Sequence, residues 1–148
     1  MPELQHGSVL GFDFGMKRIG IAVGDIEIGL AHPLETIHSE VNAVRFARIA
    51  ELLQQWKPVL AVIGLPSHDD GRAHELAPAC LRFGRRVRER FGLRTVWMDE
   101  RYSSHAASAS LNEGGVRGRR QKVMLDQVAA QHILQHYFDE PECAHEPA

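Results

Sequence analysis

The sequence predicts a single α/β domain built on a mixed five-stranded sheet, and three observations support that prediction. Short β-prone segments fill the first part of the chain, and helical patterns alternate with apolar strands after them. This order is typical of a sheet that begins as an antiparallel meander and continues with parallel strands. The length of 148 residues suits one domain, and 44% hydrophobic with 24% charged residues is an ordinary globular composition.

Three short strands are predicted near the N-terminus. The segment Ser8 to Gly15 is apolar except for Asp13, and Ile19 to Gly24 follows it after a tight basic turn. A third strand is predicted from Gly29 to Ile37. Within it, Pro33 indicates an edge strand or a bulge, because proline cannot donate a hydrogen bond to a neighbouring strand. We expect these strands to form an antiparallel meander.

Helices and strands alternate in the middle of the chain. Apolar residues at helical spacing predict a helix from Val41 to Trp56, which Pro58 ends. The apolar run Val59 to Leu65 is typical of a buried parallel strand. A helix with a basic face is predicted from Glu75 to Phe91, and the next strand from Thr95 to Met98.

Two further helices are predicted before the C-terminus. A short Ala- and Ser-rich helix begins at Ser103 or Ser104 and stops at Gly114–Gly115. A final amphipathic helix is predicted from Gln121 to Phe138. The domain is therefore expected to span residues 1–138, and the acidic, proline-containing tail 139–148 is expected to be frayed.

Charge is distributed unevenly along the chain. The formal net charge of −2 is the sum of −4 for residues 1–81, +7 for 82–122 and −5 for 123–148, and 14 of the 17 basic residues are arginine. Arginine binds phosphate through two parallel hydrogen bonds. The basic stretch therefore indicates a nucleic-acid partner that the net charge alone disfavours.

The sequence gives no sign of export or membrane insertion. Two cysteines form neither a disulfide framework nor a zinc motif, and the N-terminus lacks the basic region of a signal peptide. The longest apolar run is far shorter than a membrane-spanning helix. We expect a cytoplasmic protein with no membrane partner, and the sequence does not set its oligomeric state.

Acidic residues on separate elements form a candidate metal site. Asp13 interrupts the first strand, Asp99 and Glu100 close the fifth, and Asp126 lies in the last helix. Carboxylates converging from such positions bind Mg²⁺ or Mn²⁺, and two ions about 3.5–4 Å apart form the usual clamp for phosphodiester cleavage. On spacing alone, Asp13 also fits a buried hydrogen-bond acceptor, and the Asp-Glu-Arg run fits a solvated ion-pair patch.

Four motifs, in order, resemble the YqgF (RuvX) family. Gly11–Ala22 is similar to the family's opening G-x-D-x-G-x-K-R-I-G-x-A, and Ile63–Pro66 with the following Asp70-Gly71 resembles its V-G-L-P…D-G. Asp99–Ala107 is similar to D-E-R-x-[ST]-[ST]-x-x-A, and Arg119–Leu134 resembles the family's basic loop and last helix. The resemblance covers nearly the whole chain.

The resemblance implies an RNase H-like fold related to Holliday-junction resolvases, and a nuclease that matures the 5′ end of pre-16S rRNA. Carried over to this sequence, Asp13, Glu100 and Asp126 become the ligands of Mg²⁺ or Mn²⁺ in a two-metal hydrolysis. Adjacent strand residues face opposite sides of a sheet. Only one of Asp99 and Glu100 can then face the site, and we expect Glu100, with Asp99 as the alternative.

Basic residues near the acids are predicted to hold the phosphates of the substrate. They lie in the turn after Asp13, beside Glu100 and in the basic loop before the last helix: Lys17, Arg18, Arg101, Arg117, Arg119, Arg120 and Lys122. The expected partner is structured RNA, including ribosomal precursor particles. Two alternatives stay open: a resolvase acting on DNA junctions, and a non-catalytic module that binds RNA or a transcription complex.

Overall fold

A five-stranded mixed sheet organises the chain. The computed structural model describes residues 6–67, 75–101 and 119–146, with the backbone alone at residues 101 and 119–125. The strands are β1 (Ser8–Phe14), β2 (Arg18–Asp25), β3 (Leu30–His38), β4 (Leu60–Ser67) and β5 (Thr95–Arg101). The helices of the described ranges are α1 (Asn42–Trp56), α2 (Ala77–Phe91) and α3 (Arg119–Asp139), followed by a 3₁₀ turn (Pro141–Cys143). The short helix predicted between Ser103 or Ser104 and Gly114–Gly115 lies outside the described residues.

The strand order is β3-β2-β1-β4-β5. The first three strands are antiparallel neighbours, and β4 pairs in parallel with both β1 and β5. The predicted meander followed by parallel strands is confirmed. Pro33 lies on the edge strand β3 beside a shift of register, since Ile21 faces Glu35 while Ala22 faces Pro33. Proline is tolerated at this position because an edge strand and a bulge both leave its nitrogen without a ladder partner.

Strand β5 is longer at its C-terminal end than the sequence predicts. It continues to Arg101 because its acidic end stays paired with β4, with Leu65 opposite Asp99 and Pro66 opposite Glu100. The acidic pair therefore lies inside a regular strand. Regular pairing preserves the alternation of side chains, so that Asp99 and Glu100 point to opposite faces.

Each face of the sheet packs against different helices. On one face, α1 and α2 cover a core that includes Phe12, Ile63 and Trp97. On the other face, α3 covers a second core that includes Val62 and Met98. No helix in the described ranges is both long and apolar enough to cross a membrane.

The segment after α3 pairs with the sheet within residues 140–146, whereas the sequence predicts a frayed tail over 139–148, of which 147–148 lie outside the described residues. Residues 140–146 fold back along the sheet, where Trp97 and His145 exchange two backbone hydrogen bonds of 2.8 and 3.0 Å. The physical reason is that β5 is an edge strand, whose free backbone groups provide hydrogen-bond partners for another segment. Composition alone did not reveal that pairing.

Candidate active site

Two of the predicted acids lie on the face of the sheet that α3 covers. In β1, Asp13 is on the same side as Gly11, whose backbone lies against Leu134 of α3. In β5, Glu100 is on the same side as Met98, which belongs to the core under α3. Alternation along each strand therefore directs both carboxylates toward the same helix.

The third acid reaches this face because a glycine lets α3 approach the sheet closely. Gly20 of β2 is paired with Asp13 across the β1–β2 ladder. A Cβ at Gly20 would overlap the backbone carbonyl oxygen of Asp126. The missing side chain thus allows Asp126 to lie directly above the strand pair that carries Asp13.

The pKa of Asp13 shows that the charges of Asp126 and Glu100 act on its carboxyl group. Burial raises its pKa to about 7, and the negative charges of Asp126 and then of Glu100 add to the rise. Desolvation and like charge both disfavour the ionised form of a carboxyl group. Asp13, Glu100 and Asp126 are therefore brought together in one acidic cluster, although they come from three elements that are far apart in the sequence.

Glu100 forms a hydrogen bond with a histidine of α3. His136 of α3 donates a hydrogen bond from Nδ1 to Oε1 of Glu100, at 2.8 Å. The Glu100 side chain is only 16% exposed, and burial raises its pKa, while the hydrogen bond and charge of His136 partly offset that rise. His132 and His136 lie four residues apart in the sequence, but this spacing does not connect either of them with Glu100.

Asp99 lies away from the acidic cluster. Its side chain is 72% exposed, and its Oδ1 is 3.1 Å from Nε2 of His145 in the returning tail. The structure therefore groups Glu100 with Asp13 and Asp126, while Asp99 pairs with the C-terminal segment.

One of the predicted phosphate-binding residues contacts the cluster itself. Arg18 donates a hydrogen bond from Nε to Oδ2 of Asp126 at 2.8 Å, across 108 positions of sequence. Its guanidinium partly balances the acidic charge. Lys17 is exposed in the neighbouring turn. The others lie outside the described residues, either entirely or by their side chains: Arg101, Arg117, Arg119, Arg120 and Lys122.

The turn that carries Lys17 and Arg18 is held by a residue that the sequence interpretation missed. Arg45 of α1 is buried, and its Nη2 donates to the carbonyl oxygens of Gly15 and Met16, at 2.8 and 2.7 Å. Burial lowers the pKa of this guanidinium. The available signal was an arginine within the apolar stripe of the helix, one turn before Ile49.

The donor types of the cluster suit a hard divalent cation. Three carboxylates supply oxygen ligands of the kind that Mg²⁺ and Mn²⁺ prefer. Among the described residues, however, only His136, Glu140 and Cys143 have ligand atoms that all lie within 4.8 Å of one another, so the three carboxylates are not arranged as a closed metal site.

The repulsion that raises the pKa of Asp13 is also the interaction that a bound cation would remove. Arg18 pairs with Asp126 and His136 hydrogen-bonds to Glu100, so these two carboxylates already have basic partners. Asp13 has none within the described part of the chain.

A family model described as "RuvX: Holliday junction resolvase" matches residues 7–140. The chain belongs to the RuvX family. It is similar to proteins from Nitrosospira multiformis (56% identical, covering 90% of this chain and 89% of the relative) and Methylobacillus flagellatus (54% identical, covering 94% and 97%). Both relatives carry the name "Putative pre-16S rRNA nuclease". The predicted family is thereby confirmed.

Solved structures with the same architecture are resolvases. Thermus thermophilus RuvC in complex with a Holliday junction substrate aligns with a TM-score of 0.54 at 19% identity, covering 93% of this chain and 96% of that one. The fowlpox virus resolvase in complex with Holliday junction DNA aligns with a TM-score of 0.56 at 10% identity, covering 90% and 98%. At these identities the likeness concerns the fold, and the predicted RNase H-like fold of this RuvX-family chain is confirmed.

Proposed function

We propose that the protein is a metal-dependent endonuclease that hydrolyses phosphodiester bonds in RNA and processes the 5′ end of pre-16S rRNA. The observation that carries the proposal is the convergence of Asp13, Glu100 and Asp126: burial first, and then the charges of Asp126 and Glu100, raise the pKa of Asp13 to about 7. The name of the relatives that are about half identical to this chain supports rRNA as the substrate.

In this proposal Asp13, Glu100 and Asp126 hold Mg²⁺ or Mn²⁺. Two bound ions would supply an activated water and stabilise the leaving 3′ oxygen, which gives 5′-phosphate and 3′-hydroxyl ends. The chain itself supplies an acidic, partly buried site, and a cation that enters it relieves the mutual repulsion of the carboxylates.

Basic residues around the cluster position the substrate. Arg18 is paired with Asp126, so its guanidinium lies beside the carboxylates and can also meet a phosphate there. Lys17 is exposed in the same turn and is proposed to bind the flanking phosphate. Contacts of this kind supply affinity and little sequence preference.

His136 is proposed as a positioning residue. Its Nδ1–H holds one oxygen of Glu100, which fixes the orientation of the carboxylate. The same hydrogen bond favours the ionised form of Glu100, the form that binds a cation.

The second candidate function is cleavage of DNA junctions. The description of the matching family model and the resolvases of similar fold both favour it. Junction cleavage normally requires two active sites in a symmetric dimer. The names of the more similar relatives favour RNA, and we therefore rank the resolvase second.

The test is incubation of the protein with a precursor rRNA 5′-end fragment and, in parallel, a synthetic four-way DNA junction, in Mg²⁺, in Mn²⁺ and in EDTA. The proposal predicts cleavage of the RNA fragment with either ion, no cleavage in EDTA, and a loss of at least about 100-fold for Asp13→Asn. Paired cuts in the junction with the RNA left intact would favour the resolvase. Equal activity of wild type and Asp13→Asn would contradict the catalytic site.

A further inference from the structure

A groove runs between α1 and α2, on the face of the sheet opposite the acidic cluster. Two adjoining cavities of about 260 and 350 Å³ form it, and they share Asn42, Phe46 and Arg86. We call it the arginine groove and define it by six of its lining residues: Phe14, Met16, Phe46, Arg82, Arg86 and Arg90. It lies within the described part of the chain, and the proposed active site does not use it.

The arginines of this groove form a row along α2. Arg82, Arg86 and Arg90 are four residues apart, which places each Cα atom about 6 Å further along the helix than the one before it. All three are exposed. Among the described residues no hydrogen bond or ion pair occupies Arg82 or Arg86, while Arg90 lies over the Phe46 ring at 5.1 Å. Two of the three positive charges are therefore available to an anionic ligand.

The groove also contains acidic residues, but positive charge predominates. Glu40 lines the smaller cavity and Glu89 the larger one. The positively charged lining residues are more numerous, because they comprise the three arginines of the row and the buried Arg45. The excess of positive charge favours a ligand with repeated negative charges.

At one end the floor of the groove is apolar. The Phe14 ring is half-buried and stacks on Phe83 with ring centroids 4.9 Å apart, and Met16 beside it is 63% exposed. Phe83 stacks on the Phe14 ring, and the Arg45 guanidinium lies over the same ring at 5.3 Å from its centroid. The exposed Met16 thioether beside them is therefore the surface open to a planar, uncharged group. Unstacked nucleic-acid bases bind to surfaces of this kind, whereas bases within a duplex are inaccessible to them.

The apolar end of the groove adjoins the acidic cluster through the chain itself. Phe14 follows Asp13 in β1 and therefore points to the opposite face. Met16 lies in the turn that carries Lys17 and Arg18, the turn that Arg45 holds by its carbonyl oxygens. A strand that leaves the acidic cluster around this turn would enter the groove at Met16.

We propose that the arginine groove binds a single-stranded segment of the RNA substrate next to the cleaved bond. Successive phosphates lie along Arg82 and Arg86. One base packs against Met16, next to the Arg45 guanidinium that lies over the Phe14 ring. This inference rests on the proposed nuclease function and adds to it the path and the strandedness of the flanking RNA.

The test compares two double variants that remove the same charge. Arg82→Gln/Arg86→Gln alters the groove. Arg48→Gln/Lys57→Gln leaves the groove intact, because neither residue lines its cavities and Arg48 pairs with Glu35. Both are placed in an Asp13→Asn background, and binding of a fluorescent single-stranded RNA and of a hairpin duplex is measured by anisotropy over a range of salt concentrations. Thermal melting checks that all variants fold.

For single-stranded RNA we expect the groove variant to bind at least about 10-fold more weakly than the control. The slope of log K against log salt should also fall by about 1.4, because each phosphate that the protein no longer neutralises reduces it by roughly 0.7. For the duplex the two variants should differ by less than about 2-fold. Equal weakening in the groove and control variants, or equal weakening for duplex and single strand, would overturn the proposal.

The outcome also separates this inference from the proposed function. If the wild-type protein cleaves RNA but the two double variants bind RNA equally well, the nuclease function stands and the groove proposal fails. If the wild-type protein cleaves neither substrate but the two double variants differ as predicted, the groove stands as an RNA-binding surface and the nuclease proposal fails.

Discussion

Asp13 combines burial and charge repulsion at a single carboxyl group. Burial first, and then its neighbours Asp126 and Glu100, raise its pKa to about 7 from an ordinary value of 3.8. Because the folded protein holds the Asp13 proton more tightly than the unfolded chain, ionisation of Asp13 destabilises the fold. The loss of stability begins as the pH rises through about 4, and it continues to grow until the unfolded chain and the folded protein are both ionised, above about 7.

Replacing Asp13 by Asn removes this effect. We expect Asp13→Asn to be more stable than wild type at pH 8 by roughly 2–4 kcal/mol, and the difference to vanish near pH 4. Denaturant unfolding at pH 4, 6 and 8 in EDTA measures it. A stability difference that does not change with pH would mean that the pKa of Asp13 is not raised.

His136 affects the site through Glu100. We expect His136→Leu to lower kcat by about 10- to 100-fold. The acidic limb of the pH–rate profile should move to higher pH, because the hydrogen bond that lowers the pKa of Glu100 is then missing. His136→Asn retains an N–H donor and serves as the control, with partial recovery of both quantities. A profile that stays in place for His136→Leu would assign the residue a packing role only.

At the scale of residues, the acids could be predicted and their partners could not. Asp13 is conspicuous because a carboxylate is costly inside an apolar strand. The salt bridge from Arg18 to Asp126 and the hydrogen bond from His136 to Glu100 join residues 108 and 36 positions apart. Such contacts depend on how the elements pack, and neither periodicity nor local composition contains that information.

At the scale of elements, the position of α3 determines whether a site exists. The helix carries Asp126 and His136, and it can approach β2 only because Gly20 has no side chain. The sequence pattern predicted an amphipathic helix over Gln121–Phe138 but did not show how close to the sheet the helix would lie.

Gly20→Ala tests this close approach. The added methyl group would overlap the Asp126 backbone, so we expect a loss of about 3 kcal/mol in the free energy of unfolding. Nuclease activity should fall as well, because α3 must move away from Asp13. The control is Gly29→Ala, where a methyl group meets nothing within 4 Å and the positive φ of 73° alone costs about 1 kcal/mol. Wild-type activity in Gly20→Ala would contradict the importance of this contact.

Strand β5 extends further than the sequence pattern predicts. An apolar strand ending at Met98 was predictable from composition, whereas its extension to Arg101 depends on the facing residues of β4. The pairing of His145 with Trp97 likewise depends on an edge that exists only in the folded sheet. Pairing between strands thus determined where β5 ends and where the segment around His145 lies, and the sequence predicted neither.

At the scale of the whole molecule, charge is segregated along the chain, and a net charge of −2 conceals it. We expect Arg117→Ala/Arg119→Ala/Arg120→Ala to weaken RNA binding and to reduce the salt slope by up to about 2, since each phosphate released from an arginine reduces it by roughly 0.7. Anisotropy titrations at several salt concentrations measure both. An unchanged slope would show that the basic stretch of residues 82–122 owes its affinity to other arginines.

Catalysis is proposed to require Asp13, Glu100 and Asp126 together, although three separate elements carry them. The decisive measurement compares Glu100→Gln with Asp99→Asn for Mn²⁺-dependent cleavage of the precursor rRNA fragment, because these neighbours in β5 undergo the same chemical change on opposite faces. We expect Glu100→Gln to lose at least about 100-fold in cleavage rate. Asp99→Asn, which alters only an exposed contact with His145, should stay within a few-fold of wild type. A larger loss in Asp99→Asn than in Glu100→Gln, or equal rates in both, would contradict a single site built from these three acids.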